Sequence, residues 1–159
     1  KVQIKWPNDL WIGNLKLCGI LTEMASEINA IEYVVVGIGL NLTQKSFPEP
    51  LDQVATSLCQ HTGGQISRLK IIGLFLKYFS EDYSNFIADG DLRRFVQPLN
   101  ENAYLNGHTV WVSDRPDMDY TAVGVNELGE LLVKDNQGIL KGLTYGEVSV
   151  RRKDYATGI

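Results

Sequence analysis

The sequence predicts an α+β protein in which strands and helices occupy separate stretches of the chain. Three observations carry this expectation. From Lys1 to Asn41 the residues alternate or run apolar as strands do. From about residue 51 to about residue 100, apolar residues fall at helical spacing. Beyond about Asn102 the chain returns to short alternating segments divided by turns.

Composition agrees with a folded globular chain. Its 159 residues are 44% hydrophobic and 21% charged, near average soluble usage, and suffice for one domain or for a domain plus a module of about fifty residues. The formal net charge of −4, with Arg151-Arg152-Lys153 as the one basic cluster, supplies no field for a polyanion, so no nucleic-acid partner is expected. No stretch approaches the ~18 apolar residues of a membrane span, and Lys1-Val2-Gln3-Ile4-Lys5 is not a signal peptide. A cytoplasmic protein with no membrane partner is expected. The strand-like start, without methionine or polar lead-in, is read as lying inside a domain.

The elements follow in order. Trp6-Pro7-Asn8 imposes an extended residue and then a turn. Gly13-Asn14 is a two-residue hairpin centre between Asp9-Leu10-Trp11 and Lys16-Leu17-Cys18. Counting outward from it pairs Ile12 with Leu15, Trp11 with Lys16, Leu10 with Leu17 and Asp9 with Cys18, so that Asp9, Trp11, Lys16 and Cys18 share one face. The second strand continues to Glu23, and a polar turn over Ser26-Glu27-Ile28-Asn29 leads to the run Glu32 to Asn41, which reads as a central buried strand.

A short helix is expected from about Leu51 to Thr62, stopped by Gly63-Gly64. A longer one runs from Ser67 to Ala88, with Ser67 as cap and Leu69, Ile72, Phe75, Leu76, Phe79, Tyr83 and Phe86 as a core stripe. Another spans Asp91 to Asn100. Thr109–Val112, Tyr120–Val125, Leu131–Val133 and Val148–Val150 predict a small all-β module, with hairpin connections at Asn126 to Glu130 and Asp135 to Gly138.

Chemistry is concentrated near the start. Lys5 and Lys16 stand on or beside strands rich in apolar residues, where a lysine either snorkels to solvent or meets an anion. Solvated strand lysines satisfy the pattern equally. Asp9 lies diagonally from Lys16 and would keep it charged and oriented, or, with Asn8, it is a turn residue. Gly19 in mid-strand admits close approach of a ligand, or marks a bulge. Gly37-Ile38-Gly39-Leu40-Asn41 lacks the third glycine and following helix of a dinucleotide fingerprint, which leaves a tight strand whose glycines give a ligand room, or simply serve packing, with an Asn41 amide at its end.

No nucleophile elbow, zincin motif or Walker loop is present, and the histidines are His61 and His108. Cys18 and Cys59 lack metal-ligand spacing, although His61 is near Cys59, so no metal site is expected and both read as reduced, buried thiols. Asn41-Leu42-Thr43 matches a glycosylation sequon by coincidence.

Lys5-Trp6-Pro7-Asn8-Asp9-Leu10, then Lys16-Leu17-Cys18-Gly19-Ile20-Leu21-Thr22-Glu23, then Val36-Gly37-Ile38-Gly39-Leu40-Asn41-Leu42 closely resemble the biotin–protein ligases, with a small residue in the family where Cys18 stands. The resemblance implies a mixed β-sheet with flanking helices, partial and like that of class II synthetases, followed by a small SH3-like β-barrel. It makes residues 1–102 the C-terminal part of a catalytic domain and 103–159 an SH3-like domain.

The implied reaction joins biotin and ATP, assisted by Mg2+, into biotinyl-5′-adenylate and passes the biotinyl group to a lysine of a biotin carboxyl carrier domain. By motif, Lys16 meets the biotinyl carbonyl and the adenylate phosphate, and Lys5 meets phosphate oxygens. Asn41 helps hold the nucleotide, Asn8 and Asp9 shape the site, and Gly19 lets the acyl chain pass. The family's glycine- and arginine-rich loop, which covers the adenylate, is not among these residues. The expectation is therefore a piece of a longer ligase or a truncated product; a non-catalytic binding module and a lipoate ligase relative are the alternatives. No repressor activity is expected, and a homodimer is left open. Glu147, Ser149 and Arg151 share one face of the last strand, which would meet the catalytic domain near ATP. Ordinary interdomain or solvent contacts are the simpler explanation.

Overall fold

The computed structural model describes residues 1–27, 30–144 and 150–153. The chain divides into two compact units, Lys1–Gly73 and Leu74–Ile159.

The first unit is built on β1 (Val2–Lys5), β2 (Asp9–Ile12), β3 (Leu15–Glu27) and β4 (Ala30–Leu40), in a four-stranded sheet of that order. Its ladders are antiparallel, and a parallel bridge joins Lys16 to Ala55. Between β2 and β3, Gly13 takes φ +58°, the left-handed conformation that a primed hairpin turn needs.

The hairpin register departs from simple counting. Ile12 faces Leu15 and Trp11 faces Lys16 as expected, but Leu10 then faces Cys18 and Asp9 faces Gly19. Leu17 is the extra residue of a β-bulge. A regular strand would send Leu17 and Cys18 to opposite faces, yet both are 2% exposed; the bulge lets consecutive side chains enter the same interior.

The run 32–41 is not a central strand. β4 is the edge of the sheet, and its consecutive residues Val34, Val35 and Val36 are 50%, 52% and 46% exposed. Strands read as continuous apolar runs when both faces are covered, but within the first unit this run is left exposed.

The expected helix from 51 to 62 is divided. A single 3-10 turn at Leu51–Gln53 is followed by an extended segment, and α1 covers Leu58–Thr62. Ser57 caps α1 by accepting the Gln60 N–H, while Gln60 returns a bond to the Ser57 N–H, a capping box. Gly63 closes the helix.

α2 (Arg68–Asp89) follows, its start stabilised by the Lys70 N–H donating to the Ser67 hydroxyl. The aromatic stripe expected in a core stacks along one helix face instead. Ring centroids lie 5.4 Å apart for Phe75 and Phe79 and 5.6 Å for Phe79 and Tyr83. All of these rings are exposed. Neighbours at four-residue spacing meet each other on a helix.

The second unit holds most of α2, then α3 (Arg93–Glu101) and the strands β5 (Thr109–Val112), β6 (Tyr120–Val125), β7 (Leu131–Lys134), β8 (Leu140–Leu143) and β9 (Val150–Arg152). These form an antiparallel sheet in the order β8-β7-β6-β5-β9. Period-two alternation buries Val110, Val112, Tyr120, Ala122, Leu131 and Val133. Asn100 ties α3 to β6, its amide accepting from the Val125 N–H at 2.7 Å and donating to the Val125 carbonyl at 3.0 Å. The protein is thus α+β. Among the described residues no helix is long and apolar enough to cross a membrane. Glu147 and Ser149 lie outside the described residues, and Arg151 pairs with Trp111 on β9.

Candidate active site

The β2–β3 hairpin positions the chemistry. Asp9 begins β2 and Lys16 lies just past the hairpin turn; the pair Trp11–Lys16 and the bulge at Leu17 carry the Lys16 side chain back over Gly19, which faces Asp9. The Lys16 ammonium sits 2.6 Å from Asp9 Oδ1, with side chains 45% and 16% exposed respectively. A carboxylate at this distance from an ammonium limits the rotamers open to the lysine. The shared face of Asp9 and Lys16 is as expected, although the register that produces it is not.

Gly19 is required by close approach. A methyl group built there would stand 3.0 Å from both Cε and Nζ of Lys16 and 3.5 Å from Asp9 Oδ1. The lysine therefore lies across space that any other residue would occupy.

These residues line an open cleft of about 490 Å³ with Asn8, Ile20, Leu21, Gly37, Ile38 and Gly39. The glycines on β4 leave backbone exposed toward the cleft. Leu21 as the apolar side chain on the cleft face was not picked out in the sequence; its place is visible only once β3 and β4 are paired, with Gly19 opposite Gly39 and Leu21 opposite Gly37, while Ile20 and Ile38 pair on the other face. Asn8 is engaged structurally, since its amide donates to the Ile20 carbonyl at 2.5 Å and its own carbonyl accepts from the Ile20 N–H at 2.8 Å. It holds the turn before β2 against β3.

Lys5 and Asn41 do not line the cleft. Lys5 faces Asp9 across the β1–β2 ladder and sets its ammonium 4.7 Å from the centre of the Trp11 ring, a cation–π contact on the same sheet face. Asn41 follows β4, its N–H donating to Leu17 and its carbonyl accepting from Leu58, each at 3.0 Å.

Cys18, beneath the cleft, has its thiol pushed up from the ordinary value of 9.0, first by burial and then by the negative charge of Asp9, with Lys16 opposing. The native thiol keeps its proton to higher pH than the unfolded one. The unfolded state therefore binds fewer protons above that value, and stability is lost as pH rises through it. Urea unfolding at about pH 8 and about pH 10 is expected to show a smaller loss for Cys18→Ala than for the parent; equal losses would contradict the assignment.

The arrangement offers a cation held by Asp9 over a cleft lined by glycine backbone and Leu21, suited to an anion attached to an apolar chain. No group of three His, Cys, Asp or Glu side chains among the described residues could hold a metal ion. A second hollow, bordered by Asp89, Asp91, Arg93 and Arg94, is occupied by the ion pairs of those residues with one another.

The profile of the biotin/lipoate A/B protein ligase family matches residues 1–41. The bifunctional ligase/repressor BirA of Bacillus subtilis is 35% identical over 145 residues, covering 89% of this chain and 44% of that protein. The biotin–[acetyl-CoA-carboxylase] ligase of Mycobacterium tuberculosis is 49% identical over 55 residues, 35% of this chain and 18% of that protein. The chain thus spans less than half the length of these relatives. The solved biotin protein ligase of Aquifex aeolicus in complex with biotin and ATP superposes with TM-score 0.82 at 28% identity, over 95% of this chain and 62% of that one. Sequence motifs, a relative matched along most of the chain and a shared fold agree: the chain belongs to the biotin–protein ligase family.

Proposed function

We propose that this chain supplies one wall of the active site of an ATP-dependent biotin–protein ligase. The observation that carries the reading is the Lys16 ammonium, fixed by Asp9 across the bare backbone of Gly19 in a cleft bounded by Gly37 and Gly39. Membership of the family and the biotin and ATP bound in the Aquifex aeolicus protein support it.

In the first step a biotin carboxylate oxygen bonds to the α-phosphorus of ATP while the bond from that phosphorus to the bridging oxygen breaks, and pyrophosphate leaves with the electron pair. Lys16 places positive charge where negative charge gathers on the phosphoryl and carboxyl oxygens. In the second step the amine of a carrier-domain lysine attacks the acyl carbonyl, loses a proton and expels AMP, with Lys16 stabilising the oxyanion. Lys5 attracts phosphate oxygens from the same sheet face, and Asn41 holds the nucleotide. Asp9 orients Lys16, Asn8 holds the turn, and Gly19 gives the acyl chain passage. The described residues do not by themselves fit a magnesium site; Mg2+ enters as the counterion of ATP, which carries it on its phosphates.

On this reading residues 1–102 belong to the catalytic domain and 103–159 to an SH3-like barrel, with the sheet of β5 to β9 as its strands. The protein partner is the biotin carboxyl carrier domain of a carboxylase, and the setting is cytoplasmic. Incubating the full-length protein with ATP, biotin and a carrier domain is expected to add one biotinyl group to the carrier lysine, seen by intact mass. Modification by lipoate in place of biotin, or of a carrier lacking that lysine, would overturn the reading.

A further inference from the structure

Past the end of β4 another segment takes its place beside Lys16. The final pair of β4 is Leu40 with Cys18, so nothing from β4 reaches the backbone of Lys16. The chain loops away after Asn41 and returns at Val54 to Thr56. There the Lys16 N–H donates to the Val54 carbonyl at 2.8 Å and the Thr56 N–H donates to the Lys16 carbonyl at 2.9 Å. The backbone of Lys16 is thus held on both sides, by Trp11 of β2 and by this returning segment.

What holds the segment is a polar cluster built on two buried residues. Thr56 and Ser57, at 2% and 0% exposure, are the buried polar residues of the described chain. The Thr56 hydroxyl lies 3.0 Å from Gln60 Oε1 and 2.8 Å from His61 Nε2. Because Gln60 Oε1 only accepts, the single hydroxyl proton goes to it, and the Thr56 oxygen accepts from His61 Nε2–H. Gln60 Oε1 also accepts from the Ser57 N–H at 3.0 Å, while Gln60 Nε2 donates to the Lys45 carbonyl at 3.2 Å and Ser57 donates to the Gln44 carbonyl at 2.5 Å. The same helix donates the Leu58 N–H to Asn41 and the Cys59 N–H to Leu42. One short stretch therefore references Lys16 and Asn41 to each other, although neither Thr56 nor Gln60 lines the cleft.

We propose that Thr56 is a positioning residue for Lys16: its buried hydroxyl, held by Gln60 and His61, fastens the Val54 to Thr56 segment to the Lys16 backbone and so sets where the ammonium stands. The proposal rests on the ligase reading for its effect on rate. The lock itself is a property of the fold.

The test uses the full-length protein with Thr56→Val, which keeps the shape and removes the hydroxyl, and Thr56→Ser, which restores it. For Thr56→Val, biotin-dependent adenylate formation is expected to slow about tenfold in kcat, with the KM for biotin and ATP within about twofold, as for a displaced catalytic group. Thr56→Ser recovers most of the rate. In a Lys16→Ala background Thr56→Val adds no further loss, because the residue acts through Lys16. Independently of activity, hydrogen exchange of the Lys16 amide accelerates in Thr56→Val while that of Val133 is unchanged. Undiminished protection of Lys16, or a Thr56→Val loss that persists in full without Lys16, overturns the proposal. If Thr56→Val does not fold, Gln60→Met removes the same bond from its other end and is judged by the same outcomes. A parent protein without biotin-dependent activity would count against the ligase reading alone, and the amide measurement would then decide the lock.

Discussion

Lys16→Ala is expected to slow biotinyl-adenylate formation by at least ~100-fold in single-turnover experiments, the scale of losing one strong, preorganised donor at a developing negative charge. The effect is catalytic rather than structural. The side chain is 45% exposed and its ion pair with Asp9 is partly solvated, so removal leaves the sheet's hydrogen bonds intact and contributes little to unfolding. Adenylate formation within a few-fold of the parent would remove Lys16 from the role assigned to it.

Gly19→Ala is expected to separate rate from stability in the opposite sense to most glycine substitutions. The added methyl would stand 3.0 Å from Lys16 Cε and Nζ, and the group that must yield is the flexible end of a lysine, not backbone. Alanine in a strand interior also restricts the unfolded chain, a gain of up to about 1 kcal/mol. The melting temperature should hold or rise. The ammonium, however, is displaced from Asp9 and from the cleft, and misplacement of about 1 Å is enough for a loss on the order of 10- to 100-fold in rate. Thermal unfolding paired with single-turnover rates checks both halves; a fall in stability with an unchanged rate would contradict the argument.

Local signals in the sequence carried much of this structure. Gly13-Asn14 placed the β2–β3 turn, Ser67 and Asp89-Gly90 bracketed α2 to within a residue, and alternation located β5, β6 and β7. The facing of Asp9 and Lys16 also followed from local counting. The bulge at Leu17 did not, because no residue type marks it; it becomes apparent only when Leu17 and Cys18 are both seen buried. β8 went unrecognised because Lys141 and Gly142 interrupt any apolar pattern, its strand being defined by pairing with β7. Burial was misjudged for β4 and for the rings of α2, since apolar residues state a need for cover without stating what provides it. Of the site, the cation, its carboxylate and the glycine between them were readable. Thr56 was not, although Ser57-Leu58-Cys59-Gln60 has the spacing of a capping box that would have separated α1 from the 3-10 turn and drawn notice to the residue before it.

Lys5, Asp9, Trp11 and Lys16 occupy one face of the β1 to β3 sheet, which gives the site a polar and cationic side beside apolar Leu21 and the bare backbone of Gly37 and Gly39. On the proposed ligase reading, the cationic side meets the charge of ATP and of the activated carboxylate. The most direct measurement is exchange of labelled pyrophosphate into ATP by the full-length protein, with and without biotin. The account predicts exchange that requires biotin and is lost in Lys16→Ala. Exchange that proceeds without biotin, or that survives undiminished in Lys16→Ala, would contradict it.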